Sequence, residues 1–447
     1  MARQLRLRCW PGVIVGLLCL VGAPVCGQTD AWLEVSKTGL QAADEGRLTQ
    51  AEALFRDAMK LSEPFGDEDP RRATSINNLA YILHVQGQYG AAEPHYREAL
   101  AIRESALGPE HPDVAQSCNN LAELYRVLGR DADAETLHRR ALQIREARFG
   151  AHHPELAQSL NNLGVLYAGQ GRYQEALPLY QRALLIRIAS YGEDHLTTAE
   201  TRTNLAALYH AEKRYDEALT LYQEAFEVEQ KTLRPTHPAL ATTLSNLAEM
   251  HRVQGQLDQA IDLHQQAIAI RLDALGPDHP ETAQSLNNLA VSHFDAGHYE
   301  RAEELYRKSI AIKERALGAD HPELALTLNN LAELYRAQTR FDEALPLYTR
   351  ALEIDRRSLG EGHINVALGL NNLALLHYDR GAYVEALAIL RRALVIEEQA
   401  LGTRHPDLIN TIENSAVVLR VLRRHEEAAQ LEERAGRLRA EFGTTQS

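Results

Sequence analysis

Residues 111–150 read HPDVAQSCNNLAELYRVLGRDADAETLHRRALQIREARFG, and this stretch predicts two helices joined by a tight turn. Pro112 suits the first turn of a helix, where its missing N–H costs nothing. Val114, Cys118, Leu121, Ala122 and Tyr125 follow with helical spacing. Gly129 supplies a break. A second helix then carries Ala134, Leu137, Ala141, Leu142 and Ile144 inward until Gly150. The same pattern recurs every 42 residues. Asn-Asn pairs begin at Asn77, Asn119, Asn161, Asn287, Asn329 and Asn371, and His-Pro pairs at His111, His153, His237, His279, His321 and His405. Alanines at 92, 134, 176, 218, 260, 302, 344, 386 and 428 mark where paired helices must approach closely. A short unit repeated head to tail cannot bury its apolar face alone and must stack on its neighbours. The expected fold is therefore all-α, an α-α superhelix of about ten helical hairpins. Pro94, Pro178 and Pro346 are expected near the first turn of the second helix, where few intrahelical bonds are lost.

Residues 161–194, NNLGVLYAGQGRYQEALPLYQRALLIRIASYGED, carry the repeat in its clearest form. This pattern resembles the tetratricopeptide repeat, specifically the 42-residue form of the kinesin light chains. The resemblance covers residues 69–443, and a degenerate first unit at 28–68 shares Gly46, Ala51, Phe55 and Ala58. A short tail follows at 444–447. The resemblance implies a non-catalytic interaction scaffold that binds a protein or peptide partner in a concave groove. Ala428, Leu431, Ala435 and Leu438 give the last unit an apolar stripe, and the charged residues around them suit a terminal cap.

On a helical wheel Asn119 falls with Gln116, Glu123 and Arg126, opposite the apolar set, while Asn120 stands about 100° away. The second Asn of the pair recurs in nine units, from Asn78 to Asn414, and is expected at a packed flank. The first Asn varies, giving way to Thr203, Ser245 and Glu413, and is expected on the open face. In the resembling family this stripe lines the peptide groove. The matching positions are Asn77, Asn119, Asn161, Asn287, Asn329 and Asn371, with Arg126, Arg252 and Arg336 beside them.

The net charge of -14 and the lack of any Lys/Arg-rich run point away from nucleic acid. Arg3, Arg6 and Arg8 precede an apolar run from Val13 to Val25, too short for a membrane span but suited to a secretory signal over residues 1–27. The expectation is an exported protein, periplasmic or secreted in a bacterium, with no integral membrane segment after cleavage. A lipoprotein anchored through Cys26 is the alternative. Cys118 is then the one cysteine of the mature chain, in a register otherwise held by leucine, and is expected in the core. Of nineteen histidines, eight occupy one loop phase, from His111 to His405. Stacked helices lie about 8–10 Å apart, so one histidine per layer cannot converge on a metal, and capping is expected instead. No HExxH, GxxxxGK[ST], GxSxG or paired CxxC occurs. No enzyme activity, metal or cofactor is therefore expected. Glycan binding, or assembly of the cell envelope through the same groove, is the alternative function.

Overall fold

The computed structural model describes residues 28–44 and 47–443. The expected signal segment and Gly46 lie outside the described residues. The chain divides between Leu233 and Arg234 into two compact units. The first contains α1 (Gln28–Asp44), α2 (Leu48–Ser62), α3 (Pro70–Val85), α4 (Tyr89–Leu107), α5 (Pro112–Val127), α6 (Asp131–Phe149), α7 (Pro154–Gly169), α8 (Tyr173–Tyr191), α9 (Leu196–Ala211) and α10 (Tyr215–Thr232). The second contains α11 (Pro238–Val253), α12 (Leu257–Leu275), α13 (Pro280–Asp295), α14 (Tyr299–Leu317), α15 (Glu323–Ala337), α16 (Phe341–Leu359), α17 (Ile364–Asp379), α18 (Tyr383–Leu401), α19 (Leu408–Val421) and α20 (His425–Gly443). Within each unit, odd and even helices pair as hairpins, and each hairpin packs on the next. The array is an all-α solenoid.

Local chemistry explains the boundaries. His111, His153, His195, His237, His279, His321, His363 and His405 each accept a backbone N–H two residues on through Nδ1, at 3.1–3.3 Å. This satisfies one orphan donor at the helix start. The turn inside each hairpin needs a left-handed residue, supplied by glycine at Gly129 (φ 71°) and Gly171 (φ 74°). Lys213, Thr339 and Arg423 occupy the same turn position at φ 62°, 59° and 59°. Pro94, Pro178 and Pro346 stand one turn further into their helices than expected, on the exposed side. Each removes a single N–H bond there, and the helix continues.

Packing follows the 42-residue period. All nine crossing alanines are fully buried. Cys118 is buried among Val114, Ala115, Ala141 and Ile144, and burial pushes its thiol up to about 11, so it is an unreactive core residue. Neighbouring repeats are also joined at the turns. The Arg130 guanidinium lies 3.9 Å over the Tyr125 ring and donates to Glu93 of the preceding repeat at 2.9 Å. Arg172 and Arg340 repeat this arrangement on Tyr167 and Tyr335. The last helix buries Ala428, Ala435 and Leu438 and exposes Glu432, Glu433, Arg437 and Arg439.

Candidate functional site

The first asparagine is more buried than the second at 77/78, 119/120, 161/162 and 287/288, against expectation, while Asn204 and Asn246 of the second row are buried as expected. Asn77, Asn119, Asn161 and Asn287 are buried, and Asn329 and Asn371 are half-buried. Asn120 Nδ2 donates to Asn77 Oδ1 at 2.9 Å, Asn204 to Asn161 at 3.0 Å, and Asn330 to Asn287 at 3.0 Å. Asn119 is held by His138 Nδ1 at 2.9 Å and donates to Ser159 at 3.1 Å. Asn371 donates to Glu397 and Thr411. The first asparagine thus joins repeats at 77, 119, 161, 287 and 371, while Asn329 Oδ1 has no partner among the described residues. The cause is geometric: α5 packs on α6 but also on α4, α3 and α7, which cover the side of the helix that a single hairpin would leave open.

Arg126, Arg252 and Arg336 are likewise engaged inside the protein. Arg126 bonds Glu123 at 2.6 and 2.9 Å. Arg252 bonds Glu249 and Asp295, and Arg336 bonds Glu333 and Asp379.

What remains open on α5 is a stripe of half-buried or exposed side chains: Asp113, Gln116, Asn120, Glu123 and Val127. Their spacing follows one helix face. With the equivalent faces of α3 and α7 it bounds a groove of about 460 Å³ in the first unit. Thr74, Asn78, Gln116, Asn120 and Gln158 line it, with Phe149 and Tyr191 at the helix ends.

Three arginines that the sequence reading missed also line this groove: Arg103, Arg145 and Arg187, all at most 5% exposed. Each reaches from the second helix of its hairpin beneath the following repeat. Arg145 Nη1 donates to Ser159 Oγ at 3.0 Å and to the Glu155 carbonyl at 3.2 Å, and Nη2 to Gln116 Oε1 at 2.8 Å. Arg103 makes the same bonds to Ser117, the Asp113 carbonyl and Thr74, and Arg187 to Thr201, the Thr197 carbonyl and Gln158. Arg187 also meets Glu200 at 3.1 Å. Burial lowers the guanidinium pKa of Arg103 and Arg145, although arginine keeps its charge. Both leave a buried Nε without an acceptor among the described residues. The Glu155 carboxylate also meets Arg145 at 3.2 Å, and the row gives the groove floor a cationic character beneath side-chain amides. The sequence signal for this row was available. The residue after an inward Ile or Val of the second helix is charged in repeat after repeat, through Arg103, Arg145, Arg187, Glu229, Arg271 and Lys313.

Among the described residues no group of three potential ligands could hold a metal ion, and no helix is long and apolar enough to cross a membrane.

Solved structures with a similar fold include a Rap protein complexed with competence and sporulation factor. It is 15% identical with a TM-score of 0.57, and the alignment covers 85% of this chain and all of that one. A signal-transduction ATPase with numerous domains and a tetratricopeptide repeat sensor, from Pyrococcus horikoshii, is 11% identical with a TM-score of 0.53, over 83% of this chain and 54% of that one. A kinesin-light-chain-related protein of Podosopora anserina with nearly identical TPR-like repeats is 27% identical with a TM-score of 0.42, over 47% of this chain and 99% of that one. No curated protein is significantly similar in sequence. The sequence profile of the tetratricopeptide repeat matches residues 37–105, 71–147, 113–184, 155–231, 197–273, 239–315, 306–357 and 365–441. The buried alanines, the left-handed turns and this run of matches have one explanation: the chain belongs to the tetratricopeptide repeat family.

Proposed function

We propose that this protein is a non-catalytic interaction scaffold whose first unit holds an extended, carboxylate-bearing segment of another protein across α3, α5 and α7. The observation that carries this reading is the row Arg103, Arg145 and Arg187 beneath the groove amides. Gln116 and Gln158 each give one N–H to an asparagine of their own helix and keep a second for a bound backbone. An extended chain presents such groups at a regular rise, as repeat-built grooves do along their length. Phe149 and the exposed Tyr191 offer flat apolar surfaces beside the charges.

Isothermal titration with a decapeptide of alternating glutamate and leucine tests the reading. The peptide should bind, the double variant Gln116→Ala/Gln158→Ala should weaken it about tenfold, and salt should weaken it further. Equal binding of a version with lysine for glutamate at this groove, unaffected by the double variant, would remove the reading. Binding of oligosaccharide without any peptide would put a glycan in its place.

A further inference from the structure

The register that places Arg103, Arg145 and Arg187 in the first unit also places acids, Glu229 in that unit and two more near the end of the second. Counting in steps of 42 residues from Arg103 leads to Asp355 on α16 and Glu397 on α18. Both are buried, 6% and 3% exposed. Among the described residues neither makes an ion pair with a cation. Elsewhere in this register the charged group meets a hydroxyl: Ser117, Ser159, Thr201 and Thr327 serve Arg103, Arg145, Arg187 and Lys313. Thr411 serves Glu397. At Asp355 the equivalent residue is Gly369, and the carboxylate has no partner among the described residues. Glu397 uses Oε1 for Asn371 and Thr411, and among the described residues neither its Oε2 nor Asn371 Oδ1 has a partner. Lys313, one repeat back, is occupied by Gln284, Thr327 and the Glu323 carbonyl. The unmet groups here include the acceptors Glu397 Oε2 and Asn371 Oδ1, where those under the first-unit groove include the guanidinium donors of Arg103 and Arg145.

The residues around these acids change in the same stretch. The positions equivalent to Gln116 and Gln158 are Leu326 and Leu368, which are 38% and 52% exposed. The position equivalent to Phe149 and Tyr191 is Leu359, 39% exposed. Leu326 and Leu368 hold consecutive positions of one register, and Leu359 follows Asp355 by one turn on α16, so exposed apolar side chains accompany the two carboxylates, which calls for a ligand that is both cationic and apolar.

We propose that α15, α16, α17 and α18 form a second binding surface, which takes a protein segment carrying a lysine or arginine flanked by apolar side chains. The cation would supply a donor to Asp355 or to Glu397 Oε2, and the apolar neighbours would cover Leu326, Leu359 and Leu368. Burial pushes the Asp355 carboxyl up to about 6, a cost of ionisation that an incoming cation relieves. This surface is independent of the first-unit groove, and the variants below leave that groove untouched.

Fluorescence anisotropy with the full chain and a labelled octapeptide of alternating leucine and lysine tests the proposal. Two controls replace lysine with glutamate, or leucine with serine. Because the chain is acidic overall, the charge-neutral double variant Leu326→Ser/Leu368→Ser is the decisive one. It lies on exposed positions, so folding is retained, and circular dichroism verifies this. The wild type should prefer the lysine peptide to either control by at least tenfold. The leucine variant should lose at least tenfold in affinity, and Asp355→Asn/Glu397→Gln should do the same. Equal binding of lysine and glutamate peptides, or unchanged affinity in either folded double variant, would overturn the proposal. Full displacement by spermidine with no dependence on the leucines would also overturn it, by showing a small-amine site in place of a protein-docking surface.

Discussion

Asn120 on α5 donates its side-chain amide to Asn77 on α3 at 2.9 Å, joining residues 43 positions apart in adjacent repeats. The acceptor is buried, and its oxygen would lose this partner if the donor were removed. A buried polar atom left without a hydrogen bond costs about 1–3 kcal/mol. Asn204→Ala, which strips Asn161 of its donor at a wholly buried site, should therefore destabilise the stack around α7 and α9 by that amount. Native-state hydrogen exchange should show amides of these two helices exchanging roughly ten to a hundred times faster. Unchanged exchange would mean the ladder does not hold the repeats together.

Much of this was legible in the chain. The hairpins, the turn glycines, the crossing alanines and the capping histidines recur at one period, and each has a local cause that one repeat reveals. The two asparagine rows were not legible in the same way. A helical wheel drawn for Asn119 and Asn120 measures each only against the apolar stripe of its own helix, and Asn119 lies away from that stripe. The fold adds Ser159 of the next repeat and His138 of its own second helix, and these bury Asn119. The arginine row was missed because Arg145 sits in a second helix otherwise read for its apolar stripe. Only the comparison of Arg103, Arg145 and Arg187 at equal spacing separates it from ordinary surface charge.

Thr339 offers a stability test on a single residue. Its φ of 59° occupies the left-handed region, where a β-branched side chain is strained, and glycine holds the same turn position in most repeats. Thr339→Gly should stabilise the second unit by about 1 kcal/mol. Urea denaturation followed by circular dichroism should show the shift. A loss of stability would place the strain elsewhere.

His138 and His264 occupy a register otherwise filled mainly by tyrosine, and burial holds them neutral, down to about 4 and about 3. In the unfolded chain each titrates near 6.5. The unfolded state thus binds more protons at mildly acid pH, and stability should fall as pH drops from about 6.5 toward 4. His138→Tyr/His264→Tyr should flatten that slope, as thermal melts at pH 7 and pH 4.5 would show.

Asp355 acts in the opposite direction. Its folded pKa of about 6 lies above the unfolded value near 3.9, so the native state binds more protons between these limits. Its contribution should weaken as pH rises from about 4 to about 6 and then level off. Asp355→Asn should gain about 1–2 kcal/mol relative to wild type at pH 7 compared with pH 4. An equal difference at the two pH values would show that the carboxyl is not held in its neutral form by burial.

The groove of the first unit is tested most directly by site-specific photo-crosslinking in the native host. Benzoylphenylalanine would be placed at Gln158 in the groove lining and, separately, at Leu185, which is 68% exposed on α8 outside that lining. The account predicts adducts from Gln158 whose crosslinked peptide lies in one continuous acidic segment of a partner protein, with no such adduct from Leu185. Adducts from Leu185 alone, or adducts at Gln158 that contain sugar and no polypeptide, would contradict it.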